Sequence, residues 1–580
     1  MKRVCAVGAV AVVLALAVCT ASAEEQRAAE LVVDDDARLH IRSEDSVYFN
    51  GISLSHVEEA ATSARRALEA AKVASIQELL EFANSHTALP IHVDGSGSIT
   101  VTAPTPGLTT LSFGSLITHV AGRADLSNNN LTSVDFGRLM SIDGALVLQN
   151  NHLTQVDLAG IAVVNGSLNL AHNRLTRVMM NRLTKVAGSI FLSFNQLTSI
   201  DLSGIQNMPR AISVTNNNNL TSISLPHHIN RVILSSNSLT TLDFGSTTAV
   251  AGQATVEGNR LASISFGAVE RFGHFVDLSN NQLTSIDFAR VSVISGFLTL
   301  RNNRLTHASL TQLTRVGGTI NFSQNRLASI AMHNLITVGG TINLSDNQIT
   351  SIDIGSLASL ASTFTVGDNN LTAIIFPPSL TQISGSLGLH NNRLTHVDFG
   401  SIASVGGSLS LDRNRLTGLS FARVQRIDGS LSATENMLTS VDFALLTRVN
   451  GYVSLRSNRL GALDLTPLGL VDGPLNLSSN NMTSVSLGDL THVSGTLNLS
   501  NNQLTSIDLA RLGFVGGDLV LTSNALTQVV FGSLQTVGGA ISVRNNPGLG
   551  SIDCNFVSAQ CTCVDSHVLT VNCPAPCPSC

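Results

Sequence analysis

The chain has 580 residues, with 46 glycines, no tryptophan, two tyrosines, 12% charged residues and a formal net charge of −6. That length exceeds one compact core, and a Gly-rich, aromatic-poor composition favours an array of copied apolar units over a single large enzyme domain. The mild acidic balance excludes an electrostatic case for nucleic acid or an anionic membrane surface.

Residues 1–23 begin with Lys2 and Arg3, continue as an apolar run from Val4 to Val18, and end on Ala21-Ser22-Ala23. This is the pattern of a secretory signal peptide. The competing reading is an uncleaved anchor, but the run is short against the roughly 20 residues a spanning helix needs. A secreted or extracellular mature chain without a membrane span is therefore expected.

Residues 24–96 form a different text. Positions 34–54 alternate weakly, as one or two strands would. Positions 55–86 carry an amphipathic stripe of Val57, Ala61, Leu68, Val73, Ile76 and Leu80. Ser55 and Glu58 have capping-box spacing at its start. A helical cap over the array is expected here, with a self-associating helix as the alternative. Residues 97–116 read as a degenerate first coil in which Pro104 takes the place of a recurring Asn.

From there to residue 552 the chain repeats itself. An Asn follows each L-x-L-like unit by three residues, at Asn129, Asn151, Asn173, Asn195, Asn217, Asn237, Asn259, Asn281, Asn303, Asn325, Asn347, Asn369, Asn392, Asn414, Asn436, Asn458, Asn480, Asn502, Asn524 and Asn546. Of the 19 intervals, 17 are 22 residues; Asn217 to Asn237 is 20 and Asn369 to Asn392 is 23. A fixed period of this length means a solenoid of about 20–21 coils. In the coil 495–516, Leu497 and Leu499 take one face of a strand and Asn498 the other. Asn502 then closes backbone groups at the turn, and a stacked column of such residues satisfies donors that burial would orphan. Leu504, Ile507 and Leu509 are expected inside and Asp508 outside. Leu512 and Val515, three apart, predict one tight helical turn before Gly516 and Gly517 close the coil. One coil cannot fold alone, so stacking must supply the core and both ends need caps.

The pattern L-x-L-x-x-N-x-L resembles the leucine-rich-repeat family over about Ile99 to Ile552. The phrase V-G-G-x-L-x-L, at Val405 to Leu411 and Val515 to Leu521, is also similar to the receptor L-domain type of repeat. The resemblance implies a β-rich solenoid: a right-handed coil with a parallel sheet on one face, a short 3-10 or irregular convex side, and a binding role toward protein or glycan.

Cys554, Cys561, Cys563, Cys573, Cys577 and Cys580 crowd residues 553–580, which are expected to form a disulfide-rich cap. Cys577 and Cys580 have the spacing of a zinc pair, the alternative that export disfavours. Fifteen pairings remain open.

Enzyme, metal and cofactor signatures are missing from the sequence, and a non-catalytic chain is expected. His227-His228 reads as loop. Two columns carry charge. Arg174, Arg260, Arg304, Arg326, Arg393, Arg415 and Arg459 follow the recurring Asn, and Asp135, Asp157, Asp201, Asp243, Asp287, Asp353, Asp398, Asp442, Asp464, Asp508 and Asp553 take the outward second-strand position. Both read first as solvated surface; a grip on sulfated glycan and a calcium column are the sharper alternatives. Along the first-strand face only Val147, Phe191 (with Phe194 near it) and Ile233 have apolar character, and they form the candidate binding patch. Nine sequons are candidate glycosylation sites: Asn130, Asn165, Asn219, Asn321, Asn343, Asn370, Asn476, Asn481 and Asn498. In the coil 495–516, Asn498, Ser500, Asn501, Gln503 and Asp508 are left free to meet a partner.

The function expected is a secreted or cell-surface binding or adhesion module for an extracellular protein or glycan. Two alternatives stand beside it: a structural matrix or cell-wall protein, and the ectodomain of a receptor, kinase-linked or otherwise.

Overall fold

The computed structural model describes residues 98–101, 109–113 and 118–553, with the backbone strands Glu30–Val33, Leu39–Arg42, Ile91–Val93, Val564–Asp565 and Thr570–Asn572. The signal sequence expected over 1–23, the helix expected over 55–86 and the six cysteines from Cys554 to Cys580 lie outside the described residues. Contacts divide the chain into two units, Met1–His274 and Phe275–Cys580.

A regular coil is three short strands joined by turns. In the coil 495–516 they are Leu497–Asn498, Ser506–Asp508 and Phe514–Val515. Period-2 alternation puts Leu497, Leu499, Leu504, Ile507 and Leu509 inside, each at most 2% exposed, while Asp508 faces water. First strands stack in parallel and in register, Leu475 on Leu497 on Leu519 and Asn476 on Asn498 on Val520. Second strands pair likewise, as in Ser506–Asp508 with Gln528–Val530.

The third side corrects the expected helical turn. Leu512 donates to the Leu509 carbonyl at 3.0 Å, which closes one turn, but the helix goes no further. Phe514–Val515 instead extends and pairs with His492–Val493 and Thr536–Val537, and no helix occurs among the described residues. The cause is where the amides go: Gly516 donates to the Val493 carbonyl at 2.9 Å and Gly517 to that of Gly495 at 3.1 Å, across coils rather than along the chain. That approach needs glycine. A Cβ on Gly516 would sit 2.2 Å from the Ser494 carbonyl oxygen.

Where Phe replaces the Leu509-type residue, rings stack through the core. Phe399, Phe421 and Phe443 lie 5.9 and 5.6 Å apart, and each is at most 1% exposed. Such pairs add about 0.5–1.5 kcal/mol to simple burial.

Unit 1 contains the one 20-residue interval. Its third strands Ser141–Ile142, Val163–Val164 and Lys185–Val186 stack in register, and the next coil then brings Met208-Pro209 to this side. Proline has no N–H for a ladder. Asn207 substitutes for the missing strand: its Oδ1 accepts from the Val186 amide at 2.9 Å and its Nδ2 donates to the Val186 carbonyl at 2.7 Å. Pairing resumes with a bridge from Ile229 to Val250. His227 and His228 lie exposed in this irregular stretch, and His227 bonds Ser246.

At the N-terminal end, Glu30–Val33 pairs antiparallel with Leu39–Arg42, and Ile91–Val93 pairs antiparallel with Ile99–Val101. Ile99 and Thr100 then pair in parallel with Ala124 and Asp125, so a coil precedes the first Asn-bearing one. At the other end the strands run on into the cysteine-rich segment. Val564–Asp565 adds to Ile541–Ser542, and Thr570–Asn572 to Ser551–Asp553, both in parallel.

Candidate functional site

The recurring Asn is a ladder between coils. Asn502 donates through Nδ2 to the Leu499 carbonyl at 3.0 Å and to the Leu477 carbonyl of the preceding coil at 3.1 Å. Its Oδ1 accepts the Met482 amide at 3.1 Å, and the side chain is buried. The same bonds recur at Asn151, Asn325 and Asn414. They also survive both irregular intervals. Asn237 donates to the Val214 carbonyl at 2.6 Å while accepting from the Asn217 amide at 2.8 Å, and Asn392 accepts the Leu371 amide at 2.9 Å. These residues hold the scaffold.

The position before each ladder residue carries a signal that sequence reading passed over. It lies in the left-handed region, with φ of 55° at Asn501, 57° at Asn150 and 56° at Asp368. Asn and Asp tolerate that conformation; bulky residues seldom do. Phe194 nevertheless adopts it, with φ of 58°, is 48% exposed, and stacks on His172 at 4.4 Å between ring centroids. His172 occupies the same position one coil earlier, at φ of 56°, and was missed because it lies off the first-strand face.

The candidate patch in unit 1 is therefore rearranged. Val147 is only 4% exposed and adds no apolar surface, contrary to expectation. Phe191 and Ile233 are half-buried, and the strand register sets Asn169 between Val147 and Phe191, and Ser213 between Phe191 and Ile233. What remains is the His172–Phe194 stack beside Phe191.

The Asp column caps turns. Asp135, Asp157, Asp243, Asp398 and Asp508 each accept through Oδ1 from the amide two residues on, at 2.8–2.9 Å. At Gly137, Gly245 and Gly400 that residue is left-handed. At Asp464 a hydrogen bond from the Thr466 hydroxyl outweighs the opposing effect of burial and, with smaller help from the Thr466 amide and Ser486, holds the carboxyl below its ordinary value. Among the described residues no group of three or more His, Cys, Asp or Glu is placed to hold a metal ion. The Arg column, Arg174 through Arg459, is exposed throughout. Its gaps are filled by neutral residues such as Gln348, Asn370 and Met437, which leaves no continuous basic stripe.

The sequons separate by exposure. Asn130, Asn165, Asn219 and Asn481 are exposed; Asn321, Asn343, Asn370, Asn476 and Asn498 are half-buried. Asn498 also accepts the Ser500 amide at 3.0 Å and hydroxyl at 2.7 Å, and Ser500 is buried, so Ser500 is not free to meet a partner as expected. No helix among the described residues is long and apolar enough to cross a membrane.

The 22-residue coil, the parallel first-strand sheet and the buried Asn ladder together are the fold of a leucine-rich-repeat solenoid. Solved structures similar to it include the leucine-rich effector YopM from Yersinia pestis, at 18% identity and a TM-score of 0.35 over 56% of this chain and 84% of that one. The leucine-rich-repeat domain of APL1B matches at 15% identity and 0.33, over 52% and 87%. A chain of the glycosylated Drosophila Toll–Spatzle complex matches at 13% and 0.29, over 76% and 90%. No family model matches the sequence, and neither does any curated protein.

Proposed function

We propose that this chain is an exported, non-catalytic binding module that meets an extracellular protein or glycan with the first-strand face and the left-handed positions at its rim. One observation carries the reading. The recurring aliphatic and Asn columns are committed to the core and the ladder, whereas the first-strand face and its rim carry residues that change from coil to coil, such as Asn169, Phe191, Ser213, Phe194 and His172. Export rests on residues 1–23.

The test is capture from the extracellular fraction and surface glycans of the source organism with the secreted full chain. A specific protein or glycan is expected, and its loss with Phe194→Asp, at unchanged thermal unfolding, places contact in unit 1. Absence of any specific partner, or retention of the chain inside the cell, overturns the reading. The structural-matrix alternative draws on unit 2, where Ser410, Ser432, Ser454, Asn476 and Asn498 make a small, polar and nearly uniform row.

A further inference from the structure

In unit 2 the row of small polar residues that runs from Ser410 to Asn498 is preceded by a glycine, Gly388. The first-strand residue there has no side chain, and in the coil before it Gly367, two residues past the first-strand residue Thr365, has none either. A Cβ on Gly388 would come within 2.7 Å of Thr365 Oγ1, and one on Gly367 within 2.5 Å of His390 Cε1, so neighbouring side chains lean over the vacated space. Beside it lies an open groove of about 400 Å3, lined by His390, Asn391, Ser410, Asp412, Arg413, Thr434 and Glu435.

The rim column changes character at the same place. Across 20 coils the residue before the ladder Asn is charged only at Asp346, Asp368, Arg413 and Glu435, within five successive coils. These charges are organised across coils. His390 Nε2 lies 3.5 Å from Asp368 Oδ2, Asn391 donates to Asp368 Oδ1 at 2.8 Å, and Arg413 Nε donates to Glu435 at 3.2 Å. Asp412 differs. Its Oδ1 accepts the Thr434 amide at 2.7 Å and the Ser432 hydroxyl, while its Oδ2 has only a long 3.4 Å contact from Ser410. Among the described residues no cation pairs with it. The groove thus holds a carboxylate fixed by neutral donors, with acceptor capacity to spare, beside a guanidinium, an amide and a hydroxyl.

Resting on the binding-module reading, we propose that this groove is a second ligand site, separate from the contact at Phe194, and that it takes a neutral saccharide. Vicinal hydroxyls donate and accept at once, which suits an acceptor at Asp412 alternating with donors at Arg413 and Asn391, beside a Thr434 hydroxyl already shared with Ser432 and Ser454. Two carboxylates, Asp412 and Glu435, against one guanidinium disfavour a sulfated or otherwise anionic glycan. The lining has no Leu, Ile, Val, Phe, Tyr or Trp, so an apolar peptide side chain finds no large hydrophobic wall there.

The test is an array of neutral oligosaccharides (β-glucan, mannan and chitin fragments) with a heparin tetrasaccharide and an oligolysine peptide, probed with the secreted full chain. Binding of a neutral oligosaccharide is expected, weakened tenfold or more by Asp412→Asn and by Arg413→Gln and unchanged by Phe194→Asp. Arg413, exposed on the rim, covers the case in which Asp412→Asn does not fold. Neutral-sugar binding indifferent to both substitutions, or binding of heparin or oligolysine alone, overturns the groove assignment. A chain that binds no sugar yet captures a partner lost with Phe194→Asp overturns this proposal and leaves the binding-module reading standing.

Discussion

The regular coil at 495–516 and the irregular coil near Asn207 solve the same problem by different means. In the first, backbone amides of one coil find carbonyls of the next through the Phe514–Val515 strand. In the second, proline removes that option and the Asn207 side chain supplies a donor and an acceptor instead. Backbone satisfaction is therefore the invariant, and strand geometry is one way of reaching it. The ladder Asn residues run through both coils unbroken, which makes them the element on which coil stacking depends most.

That contrast can be broken at its strongest point. Asn502→Ala orphans the Met482 amide and leaves the Leu477 and Leu499 carbonyls with Asn480 and Asn524 as their remaining side-chain donors; at about 1–3 kcal/mol for the orphaned buried group and about 0.5–1.5 kcal/mol for each of the two other lost bonds, destabilisation of about 3 kcal/mol is expected. Denaturant unfolding reads the magnitude, and hydrogen exchange reads its spread into neighbouring coils. Asn207→Ala removes two bonds at a half-buried site, so about 1–2 kcal/mol is expected, with faster exchange at the Val186 amide and little effect elsewhere. Equal effects of the two substitutions would remove the distinction between ladder and substitute.

Phe194→Asn works in the opposite direction. Asn suits the left-handed backbone that Phe194 occupies, so a gain of up to about 1 kcal/mol is expected together with loss of partner capture. A loss of stability would mean that the stack on His172 outweighs the backbone strain. Asp464 gives the smallest effect. Its carboxyl is held below the ordinary 3.8, so its contribution is complete above that pH and is lost as pH falls through the lower folded value. Asp464→Asn should lower stability slightly at neutral pH and converge with the parent chain at low pH, which flattens the acid limb of the stability curve.

Much of this was legible in the text of the repeat. Leu497, Leu499 and Ile507 declare their faces by alternation, and Asn502 declares its column by recurrence. The turn after Leu509 was misread because spacing three apart fits both a helical turn and a turn leading into a strand. Only the carbonyls of the adjacent coil discriminate between them. Val147 looked like surface because strand parity predicts direction, not coverage by neighbours. Ser500 looked free for the same reason, since its bond to Asn498 is a matter of local geometry. The pairing of Val564–Asp565 with Ile541–Ser542 carries no repeat signature at all, since the cysteine-rich text lacks the ladder Asn.

Period, buried face and ladder belong to the sequence, because each coil repeats the same local choices and stacking multiplies them. The groove at Asp412 belongs to the fold. Its residues lie 22 or 23 positions apart on coils whose register makes them neighbours, and what they offer a ligand depends on which donors are already engaged across that register.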